Sequence, residues 1–146
     1  MLEDQYDCYA HRDYLSYEFV SSGVNGQIIK IVQYSKIMMS GIEVYNLGFG
    51  DLVNGEVSDK AVSNNGDMRK ILATVASTVY DFTNRNDFPW IYAKGGDRIR
   101  TMLYQRKLRN QLAEISRDFD LYGLTERGWK EFRIDTDYHA FLIKRK

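Results

Sequence analysis

The chain has 146 residues, of which 44% are hydrophobic and 14% aromatic, and this is enough apolar material to build one packed core. Twenty Lys and Arg balance twenty Asp and Glu, so the field of the whole molecule cannot attract nucleic acid, which we do not favour as a partner. No run approaches the roughly 18 apolar residues of a membrane-spanning helix, so we expect no membrane contact.

The first 14 residues are polar, acidic and rich in tyrosine, without a clear hydrophobic period. We predict an arm or tail at residues 1–14 and a single α/β domain at residues 15–146. The acidic start differs from the basic and then apolar start of a signal peptide. The single cysteine, Cys8, cannot form an internal disulfide, and no Cys or His cluster has metal-ligand spacing. These features predict a cytoplasmic protein without a metal site.

Three strands are predicted in the next part of the chain. Residues 15–22 have the pattern of a strand, 23–26 that of a tight turn, and 27–37 that of a second strand rich in Ile and Val. Together they predict a hairpin. Alternating apolar residues at 42–49 predict the third strand.

The clearest helix is predicted after a polar loop. Apolar residues recur at intervals of three and four positions, which places them on one face of a helix. They are Met68, Ile71, Leu72, Val75, Ala76, Val79 and Phe82. Asn64 or Asn65 can cap this helix. The apolar run Trp90–Ala93, which follows the only proline, predicts a buried central strand.

A second helix is predicted from a cap at Asp97 to about Asp118. Its predicted buried stripe consists of Ile99, Met102, Leu103, Leu108, Leu112 and Ile115. Strands at 129–134 and 138–144 form a predicted terminal hairpin, and 119–124 is an additional candidate strand. The predicted order is βββ-α-β-α-ββ, with two main helices on an antiparallel-rich mixed sheet.

This order resembles the later part of the GCN5-related N-acetyltransferase fold over about residues 27–146. The stretch Met-Leu-Tyr-Gln-Arg-Lys at 102–107 is similar to the Leu-Tyr-x-Lys stretch of that family, and the ending at 140–146 is similar to its last strand. The resemblance implies an acetyltransferase-like α/β (α+β) fold. The chain as a whole, and especially the segments 45–51 and 64–67, also resembles a family of uncharacterised small proteins from Bacteroidota, a bacterial domain of unknown function.

The acetyltransferase resemblance implies a site for acetyl-CoA at the start of the first helix. In that family a Gln or Arg, two residues, Gly, one residue, and then Gly or Ala let backbone N–H groups bind the cofactor pyrophosphate. The matching stretch 63–68 keeps Gly66, so Asn65 and Gly66 are the candidate cofactor-binding residues. Asp67 would repel the phosphates and Met68 replaces a small residue, which favours an ordinary helix cap.

Tyr104 matches the tyrosine that, in many acetyltransferases, protonates the departing thiolate of coenzyme A. The resemblance therefore makes Tyr104 the candidate catalytic residue. Packing in the core or at its rim is the alternative, because eleven tyrosines are spread over the chain. We expect no cofactor, with acetyl-CoA as the alternative.

The most local chemical signal is a basic segment at 94–109, which carries six basic residues and one acidic residue. Two glycines precede a helix start, where backbone N–H groups can approach an anion and neighbouring Lys and Arg can add charge-assisted hydrogen bonds. The candidate anion-binding residues are Lys94, Gly95, Gly96, Arg98 and Arg100. A solvated helix face is the alternative interpretation.

The functional prediction is a binding or interaction protein that engages a phosphate-bearing ligand or an acidic protein surface through this basic segment. One alternative is an acyl-CoA-dependent N-acyltransferase, so whether the protein is an enzyme stays open. Another alternative is a structural or regulatory homodimer, in which exposed tyrosines and Trp129 form the interface.

Overall fold

In the computed structural model, which describes residues 4–58 and 65–146, the chain forms nine β-strands and three α-helices. The strands are β1 (Tyr9–Ala10), β2 (Ser16–Gly23), β3 (Gly26–Met39), β4 (Ile42–Val53), β5 (Glu56–Ser58), β6 (Trp90–Ala93), β7 (Phe119–Thr125), β8 (Gly128–Glu131) and β9 (Phe141–Arg145). The helices are α1 (Met68–Arg85), α2 (Arg98–Asn110) and α3 (Leu112–Asp118). The predicted mixture of α and β structure is confirmed. No helix in these residues has the length and apolar character needed to cross a membrane.

The strands form a largely antiparallel sheet in the order β1-β2-β3-β4-β6-β9-β7-β8, with β5 paired to β4. The strands β4 and β6 run parallel to each other. The predicted antiparallel-rich mixed sheet is therefore confirmed. The predicted first hairpin is also present, since β2 and β3 are aligned from Ser16 opposite Gln33 to Gly23 opposite Gly26.

The predicted terminal hairpin is wrong, because β8 pairs with β7 and β9 lies between β6 and β7. The strand at 119–124, an additional candidate in the sequence, is β7. After β8 the chain leaves the sheet, and Tyr138, predicted to begin the last strand, is buried in the core instead. A Cβ atom on Gly123 would lie 2.2 Å from the Tyr138 ring, so this glycine makes room for the ring.

The chain divides into two compact units. They are Met1–Ser35 with Gly48–Asp87, and Lys36–Leu47 with Phe88–Lys146. The first unit contains α1 and the second contains α2 and α3.

In the first unit, α1 packs on β2 and β3. The rings of Tyr34 and Phe82 stack with their centroids 4.0 Å apart, and Tyr34 shares a 2.8 Å hydrogen bond with Thr78. Of the predicted apolar stripe, Ile71, Val79 and Phe82 are buried. The other residues of this stripe, Met68, Leu72, Val75 and Ala76, are half-buried.

Besides Ala73, three threonines complete the buried face of α1. They are Thr74, Thr78 and Thr83. Each hydroxyl donates a hydrogen bond to a carbonyl about one turn earlier in the helix, at distances of 2.8, 2.7 and 2.7 Å. A polar side chain that satisfies its hydroxyl in this way can be buried, which apolar periodicity alone does not reveal.

In the second unit, the core is a cluster of apolar side chains on and beneath β7 and β9. They are Leu121, Phe132, Tyr138 and Phe141, with Leu108, Leu112, Ile115 and Ile143 packed against them. The single long helix predicted here is two helices, because α2 ends at Asn110 and α3 begins at Leu112.

The predicted buried stripe of α2 is partly wrong. The buried residues of this helix are Thr101 and Gln105, whereas Ile99 and Met102 are exposed. Gln105 is buried because its amide is satisfied: Nε2 donates to the Thr136 carbonyl at 2.6 Å, and Oε1 accepts from the backbone N–H of Tyr138 at 2.9 Å. Because these bonds satisfy the buried Gln105, the face of α2 that is buried differs from the face that its apolar residues predict.

Candidate functional site

Asn65, a predicted cofactor-binding residue, lies just before α1 and is only 3% exposed. Its Nδ2 donates to the Ser21 hydroxyl at 3.0 Å and to the Gly26 carbonyl at 2.9 Å. Its Oδ1 accepts from the backbone N–H of Asn25 at 2.6 Å. The side chain of Asn65 is therefore committed to holding the β2–β3 hairpin. Its backbone neighbour Gly66 has a φ of +74°, which a glycine adopts without strain.

The start of α1 is occupied by Asp67, which is the N-cap residue in place of Asn65. Asn64, the other predicted cap, lies outside the described residues. The Oδ2 atom of Asp67 accepts hydrogen bonds from the hydroxyls of Tyr6 and Ser21. This carboxylate lies at the end of the helix where the resemblance places a pyrophosphate, and a negative charge there disfavours such a ligand.

Tyr104, the predicted catalytic residue, is half-buried on α2 and packs against the core cluster of the second unit. This contact agrees with the packing alternative. Its role as a general acid stays a prediction.

At the predicted anion-binding site, the two glycines lie between β6 and α2. The backbone N–H of Gly95 donates to the Thr101 hydroxyl at 3.0 Å, and a Cβ atom on Gly95 would lie 2.4 Å from the Thr101 nitrogen. Gly95 is thus required by the close approach of α2. The Asp97 carboxylate caps the helix by accepting from the Arg100 N–H at 2.8 Å. Two backbone donors that an anion would use at this helix start already have internal partners.

Some basic side chains of the same segment bond to other residues of the chain, and others are exposed to solvent. Arg98 donates to the Tyr138 carbonyl at 3.0 Å, and Arg109 pairs with the Asp137 carboxylate at 3.1 Å. Lys94 and Arg106 are exposed. Arg100, another predicted anion-binding residue, is half-buried.

The exposed side of α2 combines apolar and basic residues. We define the α2 outer face as Ile99, Met102, Leu103 and Arg106. Met102 and Arg106 follow Ile99 at intervals of three and four, so successive side chains lie about one turn apart. Residues 101, 105, 108 and 112 also recur at helical spacing. This second spacing was the sequence signal for the orientation in which Ile99 and Met102 face outwards.

A pocket in the first unit was not predicted from the sequence. It has a volume of about 390 Å³ and is lined by Cys8, Ala10, Tyr14, Tyr17, Ser77, Thr78, Asp81 and Arg85. Burial, together with the charge of Asp81, raises the pKa of the Cys8 thiol to about 11, so the thiol is neutral near pH 7. Burial and the hydrogen bond to Asp81 also raise the pKa of Tyr17.

These features describe a mixed α/β protein with two candidate binding sites: a helix face in one unit and a polar pocket in the other. The chain belongs to the family of unknown function DUF6934, whose family model matches residues 2–146. Comparisons with curated proteins and with solved structures found no significant match.

Proposed function

We propose that the protein is an interaction protein that binds an acidic protein segment on the α2 outer face. The observation that carries this proposal is the exposure of Ile99 and Met102, which are 80% and 46% exposed among basic side chains. Protein interfaces combine an apolar centre with a polar rim, and they are enriched in Met and Arg. The α2 outer face has this composition. A helix face that only contacts solvent does not require exposed apolar residues.

The apolar part of this surface can contribute substantially to binding. Full burial of a side chain such as Ile99 stabilises a complex by about 1.5–3 kcal/mol relative to its exposed state. That free energy corresponds to roughly a tenfold or larger change in the dissociation constant. Ile99 and Met102 are close enough along the helix to enter one apolar site on a partner.

The charge of the segment indicates the chemistry of the partner. Arg106 is exposed, Arg98 is exposed but bonded to the Tyr138 carbonyl, and Arg100 and Lys107 are half-buried. Asp97, the acidic residue of the segment, has its carboxylate on the helix cap. A partner with acidic side chains around an apolar centre would complement both the charge and the apolar character of this face.

The geometry favours such a segment over a phosphate-bearing ligand. A phosphate bound at a helix N-terminus relies on free backbone N–H groups. At this helix start the Gly95 N–H is bonded to Thr101 and the Arg100 N–H is bonded to Asp97. A free phosphate would not bury the exposed apolar side chains, whereas a protein segment would.

Fluorescence anisotropy with two short synthetic peptides of equal negative charge tests the proposal. One peptide carries leucines at helical spacing, and the other carries serines in their place. We expect the leucine peptide to bind about tenfold more tightly, because it covers Ile99 and Met102. The change Ile99→Ser should remove this difference, and Arg106→Glu should weaken the binding of both peptides.

The matched control is Arg127→Glu, which makes the same charge change at an exposed turn between β7 and β8 of the same unit. We expect this variant to bind both peptides much as the wild type does. Equal binding of the two peptides to the wild type would contradict the proposal. Tighter binding of phosphatidylserine vesicles or of a single-stranded oligonucleotide would also contradict it.

The other functional hypotheses stay predictions. An acyl-CoA-dependent N-acyltransferase on an acetyltransferase-like scaffold would use Tyr104, whose contact with the core cluster favours packing instead. A homodimer through exposed tyrosines and Trp129, a bacterial origin and a cytoplasmic location are further predictions from the sequence.

A further inference from the structure

The pocket in the first unit is of the size that small molecules occupy. Its volume of about 390 Å³ lies within the range of about 300–1,000 Å³ typical of ligand sites. Its walls come from residues 8–17 and from the second half of α1. The pocket is separate in sequence and chemistry from the α2 outer face, so the inference does not depend on the function proposed above.

Two opposite charges one turn apart on α1 dominate the lining. The Nε atom of Arg85 donates to Oδ2 of Asp81 at 3.0 Å, and the Tyr17 hydroxyl donates to the same oxygen at 2.6 Å. Within residues 4–58 and 65–146, Oδ1 of Asp81 and the two Nη groups of Arg85 make no hydrogen bond. The pair therefore offers both an acceptor and a set of charged donors.

The groups around this charge pair hold it in place without changing its charge. The Arg85 guanidinium lies 3.9 Å from the centroid of the Tyr14 ring, at the distance of a cation–π contact. The Ser77 hydroxyl donates to a helix carbonyl at 2.6 Å, so its oxygen can still accept a hydrogen bond. Cys8 contributes a neutral thiol. The lining thus has one positive and one negative charge, and its formal charge sums to zero.

We infer that this pocket binds a small zwitterion with the chemistry of a free amino acid. The carboxylate of the ligand would accept hydrogen bonds from the Nη groups of Arg85, which suit a planar carboxylate. The ammonium group would donate to Oδ1 of Asp81. A simple anion or cation would meet one like charge in this pocket, and a neutral molecule would leave one of the charge-assisted bonds unmade.

Thermal melting of the full chain with each of the twenty common amino acids at millimolar concentration tests the inference. A ligand that binds only the native state raises the melting temperature by mass action. We expect at least one amino acid to raise it. The N-acetyl derivative of that amino acid lacks the ammonium charge, and the amide of the same amino acid lacks the carboxylate. Neither compound should raise the melting temperature.

Variants then locate the site by calorimetry with the active amino acid. We expect Arg85→Gln and Asp81→Asn each to weaken binding by about tenfold or more, because each removes a charge-assisted interaction. Arg69→Gln is the matched control, since Arg69 is exposed near the start of the same helix and does not line the pocket. Ser77→Leu, which fills the pocket without removing a charge, should also abolish binding.

Cys8 provides an independent readout, because it is the single cysteine of the chain and lines the pocket. A bound amino acid should slow the alkylation of Cys8 by iodoacetamide, and the slowing should disappear in Arg85→Gln. The inference is overturned if none of the twenty amino acids raises the melting temperature. It is also overturned if Arg85→Gln and Arg69→Gln bind equally well, or if saturating ligand leaves the alkylation rate unchanged.

Discussion

Tyr138 connects several parts of the second unit through its backbone and its buried side chain. It is 1% exposed, and its backbone N–H donates to Gln105 at 2.9 Å. Its hydroxyl accepts from the Arg133 N–H at 2.8 Å and donates to the Glu131 carbonyl at 3.2 Å. The segment after β8 is therefore held to α2 and to the strand it leaves by the same residue.

Because the Tyr138 ring lies over Gly123, we predict that Gly123→Ala lowers the free energy of unfolding by about 1–3 kcal/mol. The added methyl group would overlap ring atoms that lie 2.2 to 2.6 Å from its position. Urea denaturation followed by circular dichroism measures this loss. In a Tyr138→Leu background the same change should cost less, since the ring is gone. Strictly additive costs would contradict the prediction.

At the scale of elements, both main helices are oriented by buried polar residues. Asn65 ties the start of α1 to the β2–β3 hairpin, and Gln105 ties α2 to the segment before β9. Thr78 and Thr101 occupy buried positions in the two helices by bonding to nearby carbonyls. The exposure of Ile99 follows from the burial of Thr101 and Gln105, because burying these two residues turns Ile99 outwards.

We predict that Asn65→Ala costs about 2–4 kcal/mol of stability, because the change removes three hydrogen bonds that the buried Asn65 amide makes with its partners. Those partners are the Ser21 hydroxyl, the Gly26 carbonyl and the Asn25 N–H. Asn110→Ala, at an exposed position at the end of α2, is the control and should change stability by under about half a kcal/mol. Equal losses in the two variants, measured by urea denaturation, would show that the Asn65 bonds contribute little.

At the scale of the whole molecule, charge is balanced overall but concentrated locally. Lys and Arg number twenty and Asp and Glu number twenty, yet residues 94–109 carry six basic residues and one acidic residue. The α2 outer face and the pocket lie in different units. Each proposed interaction therefore relies on a local arrangement of charge rather than on the field of the whole protein.

We predict that acetyl-CoA binds only weakly, with no micromolar dissociation constant detectable by calorimetry. The start of α1 carries the Asp67 carboxylate, and the Asn65 amide is already bonded to the hairpin. A micromolar constant would instead support the acyltransferase hypothesis. In that case Gly66→Val should abolish the binding, while Tyr104→Phe should lower turnover and leave the binding intact.

The resemblance to a family of unknown function is confirmed by the match over residues 2–146. Much of the secondary structure was also predicted from local patterns. The β2–β3 hairpin, α1 and β6 all follow from apolar periodicity and turn residues, which act between neighbours along the chain. The candidate residues from Lys94 to Arg100 are likewise close together because they are consecutive in sequence. Local spacing is sufficient in these cases.

Tertiary structure decided the features that depend on distant residues. The place of β9 between β6 and β7 depends on pairing with strands that are distant in sequence, and the Tyr138 ring packs against Gly123 from fifteen residues away. The rotation of α2 depends on Gln105 finding partners at Thr136 and Tyr138. The pocket joins residues 8–17 to residues 77–85, and no periodicity links segments so far apart. Periodicity records which residues are apolar, whereas the burial of a polar group depends on partners that only the folded chain brings within hydrogen-bonding distance.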